Sequence, residues 1–358
     1  MWLDRILYLN RGRTINYTGG LLMHQNGFLY AVARSVLYQI HPHFMTIVRS
    51  VHLPLVGETP AEKLQTAYNG MQVLASGRIV LKGINFLDNS IPGWLLLVDP
   101  DDLRVMVKDR KAVATARLTI DQRRDGKAWL YHVNATQSLR FEITEDAFVP
   151  DEAWTCPYRV EGDGTTQASS PLLFGEIGQV VFADNTVADP SRRIHLYAQA
   201  TDGSAPPGEL SRTPAFDENV PGFNFFMVAA DPFVQQLVVY YDPINDLLSA
   251  HAVGEDGTLE RRWERDGYKV SASPAIVPGR DLLYIDDYTG DRDDFVVLRL
   301  STGEELARVR LDASLPTIGT IFVGMNDDVF IISSETDTPN CLVSRIHLKR
   351  RGWSPRWL

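Results

Sequence analysis

Long apolar runs and cysteine are both scarce in this chain. None of its apolar stretches approaches the ~18 to 20 residues that a membrane-spanning helix needs. The sequence has 2 cysteines, Cys156 and Cys341, which are too few for a disulfide framework or for a metal site of their own. The N-terminal stretch 1–14 carries Asp4 and Arg5 among its apolar residues and lacks a small-residue cleavage site, so it does not read as a secretory signal. We therefore expect a cytoplasmic protein without a membrane partner.

Basic charge is also in short supply. The chain has 35 Lys and Arg against 45 Asp and Glu, a formal net charge of -10. Binding to a phosphate backbone requires a basic stripe or patch. The only basic cluster, at 349–351 near the C-terminus, is typical of a solvated tail. The sequence predicts no nucleic-acid partner.

Short apolar runs, separated by Gly, Asp, Asn and Pro, fill the whole sequence, and long helical periodicity is missing. This pattern predicts an all-β protein, and a recurring unit distinguishes a propeller from a sandwich or barrel. The clearest unit covers 271–311, where four short strands alternate with turns. The same order returns at 169–211 and 225–264, with weaker copies in the remaining chain.

The first strands of these units start near residues 19, 70, 116, 170, 225, 273 and 319. Such spacing suits a four-stranded antiparallel propeller blade. We predict a single domain over 1–358, a seven-bladed β-propeller whose blades lie near 15–53, 67–109, 114–158, 167–212, 222–264, 270–311 and 317–358. The segment 1–14 would close the ring by pairing with the last blade, which removes an open sheet edge.

Two local motifs resemble the repeat of the quinoprotein-like (PQQ-like) propellers. They are the Ser-Pro pairs that open two units, Ser170-Pro171 and Ser273-Pro274, and the turn Thr302-Gly303-Glu304. The resemblance implies the propeller fold alone, since this repeat occurs in dehydrogenases, scaffolds and other enzymes. PQQ itself is not expected: the cysteines are far apart, and Ala307 stands where the family repeat has Trp, a place that only Trp263 keeps. No cofactor is required by the sequence.

The two faces of the predicted propeller differ. We call the face with the A–B and C–D connections of each blade the short-turn face, and the face with the B–C and D–A connections the long-loop face. Most A–B turns are tight, whereas the long-loop face carries long polar segments such as 85–93, 184–193 and 286–294. Because functional residues concentrate on long loops raised above a rigid scaffold, we expect the site over the central channel on the long-loop face.

Aspartates end three B strands on that face: Asp184 after VVFA, Asp242 after VVYY and Asp286 after LLYI. Carboxylates around one channel can share a cation or divide into acid and base, because neighbouring charges separate their pKa values. With Arg192 as an anion contact and Tyr288 as a proton donor, they form our candidate catalytic set. The competing interpretation, that each aspartate only caps a strand before a turn, is the more common case.

The loop 286–294 contains further aspartates, among them Asp287 and Asp291, whose hard oxygens could hold Ca²⁺. No calcium-loop pattern is present, so solvated turn residues are the competing interpretation. The histidines fall on different strands, mostly C strands, and do not converge on the axis. No nucleophile motif or phosphate-binding glycine loop occurs.

Aromatic and amide residues near the long loops could line an apolar pocket with polar anchors, which is the usual make-up of a small-molecule site. The candidate ligand-binding residues are Tyr17, Tyr68, Asn69, Arg193, Asn224 and Phe225. The sequence thus favours a propeller that binds a small organic molecule, with acid–base chemistry (lyase, isomerase or hydrolase) if it is an enzyme. The alternative is a non-catalytic scaffold, whose net charge favours a basic protein partner.

Overall fold

Seven antiparallel sheets make up the computed structural model of this chain. It describes residues 2–10, 18–85, 88, 90–112, 116–122, 126–158, 168–184, 194–203, 210–217, 229–242, 245–270, 272–277, 279–288, 293–311, 318–324, 328–334 and 341–347. Each sheet is one blade, and in six of the seven blades strands A to D follow one another in sequence. The predicted seven-bladed, four-stranded propeller is confirmed.

The first three blades occupy the N-terminal part of the chain. Blade 1 consists of β2 (Thr18–Met23), β3 (Leu29–Ala33), β4 (Val36–His41) and β5 (Thr46–His52). A short helix, α1 (Pro60–Lys63), lies in the connection to blade 2, which consists of β6 (Thr66–Val73), β7 (Ile79–Asn85), β8 (Gly93–Val98) and β9 (Val105–Ala112). Blade 3 consists of β10 (Leu118–Gln122), β11 (Ala128–Val133), β12 (Gln137–Ile143) and β13 (Phe148–Pro150), with β14 (Cys156–Pro157) also pairing with β12.

The remaining blades follow the same order. Blade 4 consists of β15 (Leu172–Phe174), β16 (Gln179–Ala183), β17 (His195–Ala200) and β18 (Ser211–Pro214). Blade 5 consists of β19 (Ala229–Asp231), β20 (Leu237–Asp242), β21 (Leu247–Val253) and β22 (Leu259–Asp266). Blade 6 consists of β24 (Ala275–Ile276), β25 (Leu282–Tyr288), β26 (Asp293–Arg299) and β27 (Glu305–Leu311).

Blade 7 joins both ends of the chain. Its three C-terminal strands are β28 (Ile318–Val323), β29 (Asp328–Ser334) and β30 (Cys341–His347), and its outer strand is β1 (Trp2–Asn10). β1 runs antiparallel to β30 from the pair Trp2 and His347 to the pair Asn10 and Cys341. On the inner side, β23 (Ala272–Ser273) adds a short parallel pairing to β28. The predicted closure of the ring by the N-terminal strand is confirmed.

Burial follows strand position. β7 and β20 are buried at every residue, whereas β5 is exposed at almost every residue. Central strands are covered on both faces by the adjacent blades, which explains the continuous apolar runs IVL and LVVYY at these places. Packing between blades therefore supplies the core, and the outer strands form the wall of the molecule.

α1 is a feature that the strand pattern of the sequence does not predict. Thr59 accepts a hydrogen bond from the Glu62 main-chain nitrogen, and the Glu62 carboxylate accepts one from Thr59. This capping box, with Pro60 at the first turn, stabilises a helix too short to show apolar periodicity. No helix in the described ranges is long and apolar enough to cross a membrane.

The acidic connection predicted at 286–294 is shorter than expected. β25 extends to Tyr288 and β26 begins at Asp293, so Asp287 pairs with Asp294 inside the ladder. Two carboxylates can face each other there because Arg308, on the adjacent β27, contacts both. The aspartate-rich run of the sequence indicated a loop. Arg308 on the adjacent strand neutralises Asp287 and Asp294, so both residues can lie in paired strands.

Candidate functional site

Strand register determines which rim aspartates are equivalent. Gln179, Leu237 and Leu282 occupy the same place in three B strands, because they pair with the C strands at Ala200, Ala252 and Arg299. Counting along each strand from these residues leads to Asp184, Asp242 and Asp287. Asp286 is therefore offset by one residue, and successive side chains on a strand point to opposite sheet faces. The prediction that Asp286 ends its B strand as Asp184 and Asp242 do is wrong, and Asp287 takes the equivalent place.

Asp184 and Asp242 hold the starts of their B–C connections. Asp184 is buried and accepts hydrogen bonds from the His195 main-chain nitrogen at 2.6 Å and from the Tyr197 hydroxyl at 3.1 Å. Asp242 is fully buried and accepts from the main-chain and side-chain nitrogens of Asn245 at 3.2 and 2.7 Å. These bonds satisfy buried carboxylate oxygens within each blade and support the capping interpretation.

Asp287 belongs to a charged cluster on blade 6. Its carboxylate accepts from the Lys269 main-chain nitrogen at 3.0 Å and pairs with Arg308 at 2.6 Å. Arg308 also pairs with Asp294 at 2.9 Å and with Glu305 at 2.9 Å. The hydrogen bonds that the Arg308 guanidinium donates to Glu305, and then to Asp287 and Asp294, raise its pKa. Asp287 thus holds a cation that the protein itself supplies.

Asp286 and Tyr288 flank this cluster. Asp286 is fully buried and lies opposite Phe295 in the ladder, and the half-buried Tyr288 donates its main-chain N–H to the Lys269 carbonyl. In the described part of the chain, no group of three or more His, Cys, Asp or Glu side chains could hold a metal ion. Asp291 lies outside the described residues, and calcium at this loop stays a prediction.

Tyr68 and Asn69 lie in β6, the first strand of blade 2. Tyr68 is fully buried, and its hydroxyl donates to the Pro54 carbonyl at 2.7 Å. Asn69 is the bulge residue between the pairs formed by Tyr68 and Gly70, and it is almost fully buried. The other candidate ligand and anion contacts lie outside the described residues: Tyr17, Arg192, Arg193, Asn224 and Phe225.

Two basic residues that the sequence patterns did not indicate lie on or beside inner strands of the ring. The Lys82 ammonium donates to the Asn69 side-chain oxygen at 3.2 Å and is fully buried. Burial, and secondarily the charge of Arg117, lowers the pKa of Lys82. Arg117 donates to the Thr320 hydroxyl of β28 at 2.8 Å and so links the inner strands of blades 3 and 7. The lone lysine inside the apolar run IVLKGI was the available sequence signal.

A cleft opens on the short-turn face, where the sequence indicated little room for a site. It has a volume of ≈ 350 Å³ and lies between the turns of blades 4 and 5. Its lining includes Gln179, Thr201, Asp202, Glu255, Asp256 and Gly257. The cleft could not be inferred from single turns, because three turns of two adjacent blades build it.

Carboxylates surround this cleft. The described short turns of blades 4 to 6 carry one basic side chain, Arg280, and we call this surface the acidic face. Its exposed carboxylates are Glu176, Asp202, Glu255, Asp256 and Glu304. Hydrogen bonds from the Thr258 side chain and main chain lower the pKa of Asp256, so this group is ionised at neutral pH.

An apolar pair projects from the acidic face. Phe233 and Val234, in the A–B turn of blade 5, are 64% and 63% exposed. The buried Asp231 accepts hydrogen bonds from the main-chain nitrogens of both residues, at 3.3 and 3.2 Å. This Asx-type turn fixes the backbone beneath two exposed apolar side chains.

Known structures with this architecture are distant in sequence. No protein-family model and no curated protein matches the chain. A chain of a mitotic checkpoint complex aligns with a TM-score of 0.63 at 10% identity, covering 97% of this chain and 92% of that one. Hsv2 from Kluyveromyces lactis aligns with a TM-score of 0.56 at 11% identity, covering 94% and 100%. Drosophila semaphorin 1b aligns with a TM-score of 0.55 at 10% identity, covering 96% and 87%.

These similarities establish the propeller fold alone. Among the related structures is Drosophila plexin A in complex with semaphorin 1b. Membership of the quinoprotein-like family stays a prediction, because the neighbours share the architecture at a sequence identity too low to show a family.

Proposed function

We propose that this protein is a non-catalytic interaction scaffold that docks a basic partner protein on its acidic face. The observation that carries the proposal is the exposed pair Phe233 and Val234 on a turn fixed by Asp231, among turns rich in carboxylates. A rigid aromatic anchor loses little conformational entropy on binding, and such anchors dominate interface energetics. The surrounding negative charge would steer a basic partner and reject an acidic one.

Solved structures of similar architecture support a protein-binding role. A mitotic checkpoint complex and a plexin–semaphorin complex are protein assemblies that contain propellers of similar architecture. That property belongs to those proteins, and we extend it to this chain only as a proposal. A cytoplasmic location is likewise still a prediction.

A paired surface variant tests the scaffold. Phe233→Ser with Val234→Ser removes the exposed anchor without touching a buried residue. The control is Val149→Ser with Leu306→Ser, which removes exposed apolar side chains from the outer strands β13 and β27. We expect a partner purified from the native host to bind the wild type and the control, and to lose at least tenfold in affinity for the Phe233/Val234 variant. Equal binding to all three proteins would refute the proposal.

The alternative remains a small-molecule site on the long-loop face with acid–base chemistry at Asp184, Asp242 and Asp286. The observation that supports it is that all three carboxylates are buried beside the B–C connections of the long-loop face. A native mass spectrum of protein from its own host, with elemental analysis, decides between the two. A stoichiometric small molecule or Ca²⁺, lost on Asp184→Asn and Asp242→Asn substitution, would favour the enzyme over the scaffold.

A further inference from the structure

Arginines join the blades of this propeller by a recurring contact. At four junctions, an arginine on the third or fourth strand of one blade donates to a main-chain carbonyl in the C–D turn of the next blade. The donors are Arg345 to Pro42 and His43, Arg49 to Asp101, Arg140 to Thr201, and Arg265 to Thr302. The C–D turns of this fold are therefore acceptors for guanidinium groups.

The junction between blades 4 and 5 is built differently. There the shorter side chain of Gln179 donates to the Glu255 carbonyl at 2.9 Å. Gly257 contributes no side chain to this junction. A Cβ at this position would lie 3.3 Å from the Gln179 side-chain oxygen and 3.4 Å from the Ser211 hydroxyl. The cleft lies at this junction.

Size and charge of the cleft suit a single long cation. A volume of ≈ 350 Å³ equals about twelve water molecules at ~30 Å³ each, which is room for one extended side chain and some solvent. None of the described residues that line it is basic, and Asp202, Glu255 and Asp256 contribute negative charge. Planar guanidinium groups bind carboxylates and carbonyl oxygens together through several fixed N–H donors, which lysine does less well.

We propose that this cleft binds an arginine side chain from a partner protein, in the manner in which the protein's own arginines bind the C–D turns at the other junctions. The inference rests on the proposed interaction function and names the residue type that the partner must supply. The guanidinium would donate to carbonyl oxygens of the 254–257 turn and pair with Asp202 and Asp256. Binding would join the partner to two blades at once.

A peptide assay on the full chain tests the cleft without knowledge of the partner. The probe is a fluorescein-labelled pentapeptide, Gly-Leu-Arg-Leu-Gly, and its counterpart with citrulline, which keeps the shape of arginine without the charge. We expect fluorescence anisotropy to show at least tenfold tighter binding of the arginine peptide, since a hydrogen bond to a charged group contributes roughly a factor of ten. Equal binding of the two peptides would overturn the proposal.

Variants of the cleft provide the second test. Asp202→Asn with Asp256→Asn should weaken binding of the arginine peptide about tenfold. The control is Glu145→Gln with Asp146→Asn in the C–D turn of blade 3, which makes the same charge change on the same face and should leave the peptide affinity unaltered. Ser211→Arg supplies an arginine from within the chain, and it should block the peptide while raising the midpoint of thermal unfolding. If both cleft variants bind the peptide with wild-type affinity, the proposal that the cleft binds arginine is refuted.

The two proposals can fail separately. Loss of the native partner in the Phe233/Val234 variant, together with wild-type partner affinity in the Asp202/Asp256 variant, would remove the arginine cleft and keep the scaffold. If the arginine peptide binds specifically and the native partner binds the Phe233/Val234 variant with wild-type affinity, the arginine cleft is supported and the apolar anchor is refuted.

Discussion

His251 lies on β21 with no solvent exposure, and its two ring nitrogens differ in environment. Nε2 lies 3.1 Å from the Ala215 carbonyl and 3.1 Å from the Ser249 hydroxyl. Nδ1 is buried without a hydrogen-bond partner in the described part of the chain. Burial lowers the pKa of His251 to about 4, and the nearby charge of Arg261 acts in the same direction.

This histidine makes the protein acid-sensitive. The unfolded chain binds a proton at His251 with a pKa near 6.5, whereas the folded chain does so only near 4. The stability that His251 contributes is therefore complete above pH ~6.5 and is lost as the pH falls towards 4, by about 3 kcal/mol in total. His251→Gln should flatten the pH dependence of the unfolding free energy in this window. The exposed His43→Gln is the control, and an unchanged slope in His251→Gln would contradict the assignment.

The two cysteines should be inert in the folded protein. Cys156 and Cys341 are 2% and 1% exposed, and burial raises the pKa of the Cys341 thiol to about 12. Because the thiolate is the reactive form, we expect no reaction with a thiol reagent at pH 8 until denaturant is added, when both cysteines react. Ser301→Cys, on an exposed turn, should label at once. Rapid labelling of the native wild type would contradict this burial.

At the scale of elements, Trp263 shows how one blade fastens to the next. Its indole nitrogen donates to the Leu300 carbonyl at 2.7 Å, and its ring covers Gly303 in the C–D turn of blade 6. A Cβ at Gly303 would lie 3.0 Å from two ring carbons, and the residue has a φ of +70°. Both the backbone and the ring require glycine here.

Two glycine substitutions separate these requirements. Gly279 has a φ of +73° but nothing within 4 Å of an added Cβ, so Gly279→Ala measures the backbone strain alone, about 1 kcal/mol. Gly303→Ala should cost about 1–2 kcal/mol more, because the Trp263 ring must also move. Chemical denaturation of both variants measures the difference. Equal losses would mean that the ring contact does not hold the blades together.

The same turns show what sequence can predict. Blade number, strand order and closure follow from apolar runs and turn residues, because each blade repeats one local pattern. The sequence does not predict where a strand ends if a residue on another strand determines that end. Arg308 does so for the strands that contain Asp287 and Asp294. The one-residue offset of Asp286 arises in the same way, since strand pairing fixes register and composition does not.

The candidate site was less predictable than the fold. The cleft lies at a junction where Gln179 contacts the C–D turn of the next blade, whereas arginine makes this contact at four other junctions; this difference is visible only in the contacts themselves. The buried lysine Lys82 was visible as a lone charge in an apolar strand, but its depth depends on packing by blade 3. Sequence patterns describe single blades, whereas the sites of this molecule lie between blades.

For the whole molecule, the decisive element is β1, because it joins the N-terminal end of the chain to the C-terminal blade and so closes the ring. It supplies the outer strand of blade 7, and Leu9 packs into the core that blade 7 shares with blade 1. Without β1, the edge of β30 would be open, and an unpaired edge invites association with other chains. We expect the chain lacking residues 1–10 to unfold at a lower temperature and to aggregate.

Complementation separates the loss of this strand from general damage. A synthetic peptide of residues 1–14 added to the truncated protein should pair with β30, raise the unfolding midpoint in proportion to the logarithm of its concentration, and suppress aggregation. The same peptide with serine at Leu7 and Leu9 keeps the backbone donors and acceptors but loses the apolar contacts. This serine peptide should raise the unfolding midpoint only slightly, because an added strand gains most of its stability from the side chains that it buries. Full rescue by the serine peptide would show that β1 acts as an edge cover rather than as part of the core.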